Sequence, residues 1–137
     1  MSKLTLVTFC LFLLISCRQK LEQKEEFFEG TDLTVGIYRL EGIGLEGGWV
    51  DDFRNFYIDD LPTLQKIKDQ WVFEYTVPPT SCGYGYKLRL LRDKIVIEEA
   101  FVNIECEYIS VNGNPWRYFP SNFLTDHRAS FKRFTNE

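Results

Sequence analysis

The chain has 137 residues, with 16 basic and 20 acidic side chains, a formal net charge of −4 and four cysteines. That length holds one domain around a single core. The acidic balance excludes the basic face that nucleic-acid binding needs, so no nucleic-acid partner is expected.

Met1-Ser2-Lys3 carries one positive charge, and the twelve residues from Leu4 to Ile15 carry none. A membrane-spanning helix needs roughly 20 apolar residues, whereas a shorter run fits the apolar core of a secretion signal. A buried helix would show a polar face, and this run has only Thr5 and Thr8 as polar breaks. It closes on Leu14-Ile15-Ser16-Cys17. This ending resembles the lipobox of bacterial lipoproteins, in which an aliphatic residue, a tolerant position and a small residue precede Cys. The resemblance covers residues 1–17 alone. It implies cleavage between Ser16 and Cys17, a diacylglyceryl group on the Cys17 thiol, and acylation of the new amino group. Two or more acyl chains anchor a protein stably, so the membrane is an expected partner through lipid on Cys17. Arg18 stands where, in the sorting rule of enteric bacteria, Asp would retain a lipoprotein in the inner membrane. The resemblance therefore points to the outer membrane of the cell envelope, with the periplasmic or external face left open.

Removing residues 1–16, the expected signal peptide, leaves 121 residues with 15 basic and 20 acidic side chains, a net of about −5. Cys10 leaves with the signal and Cys17 takes lipid. Cys82 and Cys106 remain, and in an exported, oxidising compartment they are read as one disulfide. Residues 17–30 are highly charged with no sustained apolar period and are read as a tether. Phe27 and Phe28 at its end either begin the domain or dock on it. Residues 31–137 are then a single globular exported domain.

Leu33, Val35 and Ile37 alternate with Thr34, Gly36 and Tyr38 and predict a first strand over 32–40. The glycine-rich stretch 41–48 reads as a bent connection; it lacks the closing Lys-Ser/Thr of a phosphate loop. A short strand is expected over 53–58. Asp59-Asp60-Leu61-Pro62 then opens a helix over about 61–69, with Leu64, Ile67 and Trp71 on one face. Strands follow over 71–77, 84–92 and 95–106. A hairpin turning at Asp93-Lys94 pairs positions whose numbers sum to about 188, and Cys82 and Cys106 satisfy that sum. Opposed strand residues lie within disulfide reach, so hairpin and bridge support one another. Asn112-Gly113 signals a tight turn after a strand ending at Val111. Residues 114–119 return as an edge strand, since Pro115 cannot donate to a ladder. Phe123, His127, Phe131 and Phe134 fall at the spacing of a last short helix. The fold expected is α+β: an antiparallel sheet of about five or six strands, one or two short helices and one disulfide, with a small closed β-barrel as the alternative.

No catalytic constellation is legible. His127 is the only histidine, with no nucleophile assignable to it, and reads as a surface or helix-face residue. Asp51, Asp52, Asn55, Asp59 and Asp60 lack the spacing of a calcium loop and read as an exposed strand edge and its turns; no metal or cofactor is expected. Acids crowd residues 22–60, while Arg117, Arg128, Lys132 and Arg133 lie near the carboxyl end. They either pair internally or form a bipolar surface that steers a partner. The 22 aromatic residues, two of them in the signal, exceed what a small sheet core easily encloses. Trp116, Tyr118 and Phe119 are therefore the candidate binding patch, since Tyr and Trp are common where proteins grip partners. The function expected is a non-enzymatic protein-binding module: an inhibitor, an immunity-type protein or an envelope accessory. A small-ligand barrel and, last, a hydrolase are the alternatives.

Overall fold

The computed structural model describes residues 25–45, 50, 52–77, 82–113 and 117–134. Cys17 and Trp116 lie outside the described residues, as do the expected signal and residues 17–24 of the expected tether. Among the described residues the architecture is α+β, with one antiparallel seven-stranded sheet, a two-stranded ribbon, two short helices and the Cys82–Cys106 disulfide.

In chain order, β1 (Glu25–Glu26) leads to β2 (Tyr38–Gly44) and β3 (Asn55–Ile58). Helix α1 (Leu61–Gln70) and β4 (Val72–Phe73) follow. Then come β5 (Tyr86–Arg92), β6 (Ile95–Asn103), β7 (Tyr108–Val111) and β8 (Arg117–Tyr118). The chain closes with α2 (Asn122–Thr125), a 3-10 turn (Arg128–Ser130) and β9 (Lys132–Arg133). The large sheet has the order β8-β7-β6-β5-β2-β3-β9, and β1 pairs with β4 in the separate ribbon.

The first strand begins later than the alternation at 33–37 suggests. Asp32 ends the expected pattern, because its carboxylate accepts hydrogen bonds from the backbone N–H and hydroxyl of Thr34. Those bonds hold its carboxyl below the ordinary range, and Gly36 adopts φ +101°. The strand runs instead through Glu41-Gly42, which the sequence marks as a bend. There Gly42 sits directly opposite Phe56, whose ring covers the space a side chain would fill.

Helix α1 forms where its signals predict. The Asp60 carboxylate accepts from the Thr63 N–H at 3.1 Å, Pro62 lies in the first turn, and Leu64 and Ile67 are buried. The β5–β6 hairpin also keeps its expected register, with Tyr86 opposite Val102, Leu88 opposite Ala100 and Leu90 opposite Glu98. Asp93 and Lys94 both take positive φ at its tip, as a tight two-residue hairpin turn requires.

The core is aromatic. Phe27, Phe28, Trp71, Phe73 and Phe119 are fully buried. Trp71 meets Phe27 at 5.8 Å and Phe119 at 5.3 Å between centroids, both edge-on, a geometry that suits the ring quadrupoles. A second group stacks Phe56 on Phe131 at 3.9 Å, with Phe53 edge-on to Phe131 at 5.3 Å. Phe27 and Phe28 thus belong to the packed body, which takes in part of the stretch 17–30 that composition assigns to a tether. Phe131 keeps its expected spacing, but the chain reaches it through α2 and the 3-10 turn rather than one continuous helix.

The sheet does not close into a barrel. These rings pack with Leu64 and Ile67 of α1 in one buried core, and the strand order runs from β8 at one edge to β9 at the other. Among the described residues no helix is long and apolar enough to cross a membrane.

Candidate functional site

The structure places the sequence-predicted residues as follows. Cys82 and Cys106 are bonded, with Cα atoms 6.5 Å apart. They lie just beyond the last rungs of β5 and β6, where the Tyr108 hydroxyl donates to the carbonyls of Cys82 and Gly83. Phe119 is fully buried and cannot contact a partner. The apolar side chain after Tyr118 turns inward to pack on Trp71 and Phe73. Tyr118 is exposed, and its hydroxyl donates to Glu107 at 3.3 Å. The charge of Glu107 raises the Tyr118 phenol above its ordinary range.

The acidic set does not converge. Asp52 pairs with Arg128 at 3.1 Å, Asp59 with Lys132 at 2.5 Å, Asn55 accepts from the Gly44 N–H, and Asp60 caps α1. Asp51 lies outside the described residues, among which no group of three potential ligands gathers. The asymmetry in the sequence is thus partly folded together, because acids from the first half pair with bases from the carboxyl end. On the outer face of the sheet, Glu41 is buried between Arg39 at 3.0 Å and Arg89 at 2.6 Å. The Arg39 guanidinium in turn lies 3.8 Å above the Tyr57 ring. His127 contacts the Gln70 side chain at 2.7 Å, and burial pushes its imidazole below the ordinary value.

One surface feature escaped the sequence. Ladder β6–β7 runs only from Ala100 to Asn103, and one further rung is made by Asn112, whose N–H donates to the Glu99 carbonyl at 2.8 Å. Among the described residues, Ile95, Val96 and Ile97 therefore have β5 on one side and no strand on the other. All three are exposed, as are Val35 and Ile37, with exposures from 42% to 77%. Ile37 is held at the hairpin turn by two hydrogen bonds, from its own N–H to the Asp93 carboxylate at 3.0 Å and from the Asp93 N–H to its carbonyl at 2.8 Å.

Single exposed aliphatic residues are ordinary; here five fall at one hairpin end and the segment joined to it, with Ile95 and Val96 on opposite faces of β6. Their β-branched side chains are stiff and lose little freedom on contact. A register shift between Leu90 and Leu91 places a bulge here, which twists the open edge and selects against indiscriminate strand pairing. The arrangement can accept an added strand or a small apolar surface.

No protein-family model, curated protein or solved structure matches the chain.

Proposed function

We propose that the chain is a lipoprotein of the cell envelope, anchored through Cys17 to the outer membrane, whose exported domain is a non-enzymatic protein-binding module. The surface it offers to its partner is the projecting end of the β5–β6 hairpin. The observation that carries this reading is the open β6 edge with Ile95, Val96 and Ile97 exposed beside Ile37. Strand addition on such an edge supplies affinity through main-chain hydrogen bonds and specificity through alternate side chains. The flanking Arg92, Asp93 and Lys94 give the patch a polar rim, as interfaces have.

Site-specific photo-crosslinking in intact envelopes tests it. A photoreactive side chain at Val96 should yield a discrete adduct, while the same group at Gln65, on the exposed face of α1, should not. A folded, disulfide-bonded protein that gives no adduct at Val96, or the same pattern from both positions, would refute the assignment.

A further inference from the structure

Among the described residues, both helices pack on one face of the large sheet. Leu64 and Ile67 of α1 and Leu124 of α2 share a core with Leu40, Leu88, Leu90 and Ala100 of the strands. Alternate strand residues point to opposite faces, and directly opposed residues share one. The other face therefore holds Arg39 and Glu41 of β2, Lys87, Arg89 and Leu91 of β5, and Glu99 of β6.

The register sets these residues in rows. Glu41 stands between Tyr57 and Arg89, and Arg89 stands between Glu41 and Glu99. One row closer to the hairpin turn, Leu91 stands between Arg39 and Val96. Val96, at the hairpin end, thus lies on this same face, two strand spacings or about 10 Å from Arg39.

The cations here are held in place. Glu41 accepts from Arg89 at 2.6 Å and pairs with Arg39 at 3.0 Å, and its side chain is 8% exposed against 28% and 35% for theirs. The Arg39 guanidinium also lies 3.8 Å from the Tyr57 ring centroid and 5.2 Å from that of Phe134. Lys87 pairs with Glu99 at 2.9 Å, and Lys132 at the margin is taken by Asp59. Two guanidiniums sharing one buried carboxylate keep one positive charge, while the other two pairs cancel. The chain as a whole is acidic, with a net charge of −4, so this excess is local to the face.

We infer that this face receives a carboxylate-bearing segment of the protein partner, gripped by Arg39 and Arg89 with Lys87 beside them, an inference that rests on the proposed role of the hairpin end. A guanidinium carries five donors in a planar fork that matches a carboxylate, and one shared carboxylate leaves most of them to a second acceptor. Arg39 is already held by Glu41 and the two rings, so it has little rotamer freedom left to lose on binding. Leu91 and Val96 give an apolar foothold next to the guanidiniums, so the partner should carry an apolar residue next to its acids. The acidic remainder of the domain repels such a partner elsewhere, which fixes its approach to this face.

The probe is a fluorescent hexaglutamate peptide, titrated against the full chain in detergent micelles, with hexalysine as the control. Binding should be seen at about 0.05 M salt and fade at about 0.5 M, where exposed charges are screened. Lys87→Glu should weaken it about fivefold; Lys66→Glu on the exposed side of α1 makes the same change of net charge and should alter it less than about twofold. If Lys87→Glu does not fold, Lys87→Gln should weaken binding about twofold. Nitrogen-15 spectra should show hexaglutamate moving the guanidinium signals of Arg39 and Arg89, and hexalysine leaving them in place. In envelopes, Lys87→Glu should also reduce the Val96 photo-adduct, and Lys66→Glu should not. Hexaglutamate that does not bind, or that both reversals weaken alike, overturns the inference, as does a Val96 adduct indifferent to Lys87→Glu; the hairpin contact then stands without an acidic partner. Hexaglutamate bound at these guanidiniums with no adduct at Val96 overturns the hairpin reading while the acid-binding face stands.

Discussion

Removing the Cys82–Cys106 bridge should cost the domain about 3.5 kcal/mol, by the chain-entropy estimate for a loop of about this length. The bonded cysteines are 24 residues apart in sequence, and cross-linking them removes loop-closure freedom from the unfolded chain. The folded state should survive the loss, because the same end of the hairpin is held independently. The Tyr108 hydroxyl donates to the Cys82 and Gly83 carbonyls, and Asn103 both donates to the Gly83 carbonyl and accepts from the Cys106 N–H. The double variant Cys82→Ser/Cys106→Ser should therefore keep its circular-dichroism spectrum while its urea midpoint falls by roughly 2 M, taking a slope typical of a small domain. A loss below about 1 kcal/mol would refute the reasoning, since the bridge would then constrain little that the unfolded chain was free to explore.

Three further outcomes follow from particular contacts. Gly42→Ala would drive a methyl group into the Phe56 ring, which is stacked on Phe131 at 3.9 Å and cannot retreat; denaturant unfolding should show a loss of about 1–3 kcal/mol. Tyr86→Phe would remove the hydroxyl shared by the Val50 N–H and the Phe53 carbonyl; those two groups keep their own bond at 3.0 Å, so the cost should be about 0.5–1.5 kcal/mol near neutral pH. Burial raises the Tyr86 phenol from its ordinary value of 10.0 to about 12. Its contribution is therefore complete below pH 10 and is lost as pH rises toward 12. The gap in urea midpoint between wild type and Tyr86→Phe should narrow from pH 8 to pH 11. Asp60→Ala removes the acceptor for the Thr63 N–H and should lower stability by about 1 kcal/mol, read from the same urea titration.

What was legible in the sequence is what local chemistry decides. Asp60 and Pro62 mark the start of α1 because a cap and a fixed φ act within one turn. The cysteine positions and the Asp93-Lys94 turn give the hairpin register because a tight turn fixes pairing at once. Strand β2 was misplaced because its evidence is tertiary. Glu41 tolerates burial only through Arg39 and Arg89, and Gly42 tolerates a strand only because Phe56 covers it. The aromatic excess that suggested a binding patch is mostly core, since α1, the amino-terminal rings and Phe119 interlock inside the sheet. The exposed hairpin end could not be read from Ile95-Val96-Ile97, which in sequence is an ordinary buried strand. It is exposed because β7 ends at Val111, too short to cover it.

The proposed function depends on the anchor, and the state of Cys17 tests it most directly. Mass spectrometry of the protein extracted from envelopes should find an amino-terminal peptide beginning at Cys17 and carrying acyl chains, and Cys17→Ala should abolish them and accumulate the uncut precursor. An extracted chain that begins elsewhere, or whose Cys17 thiol is free, would contradict the account.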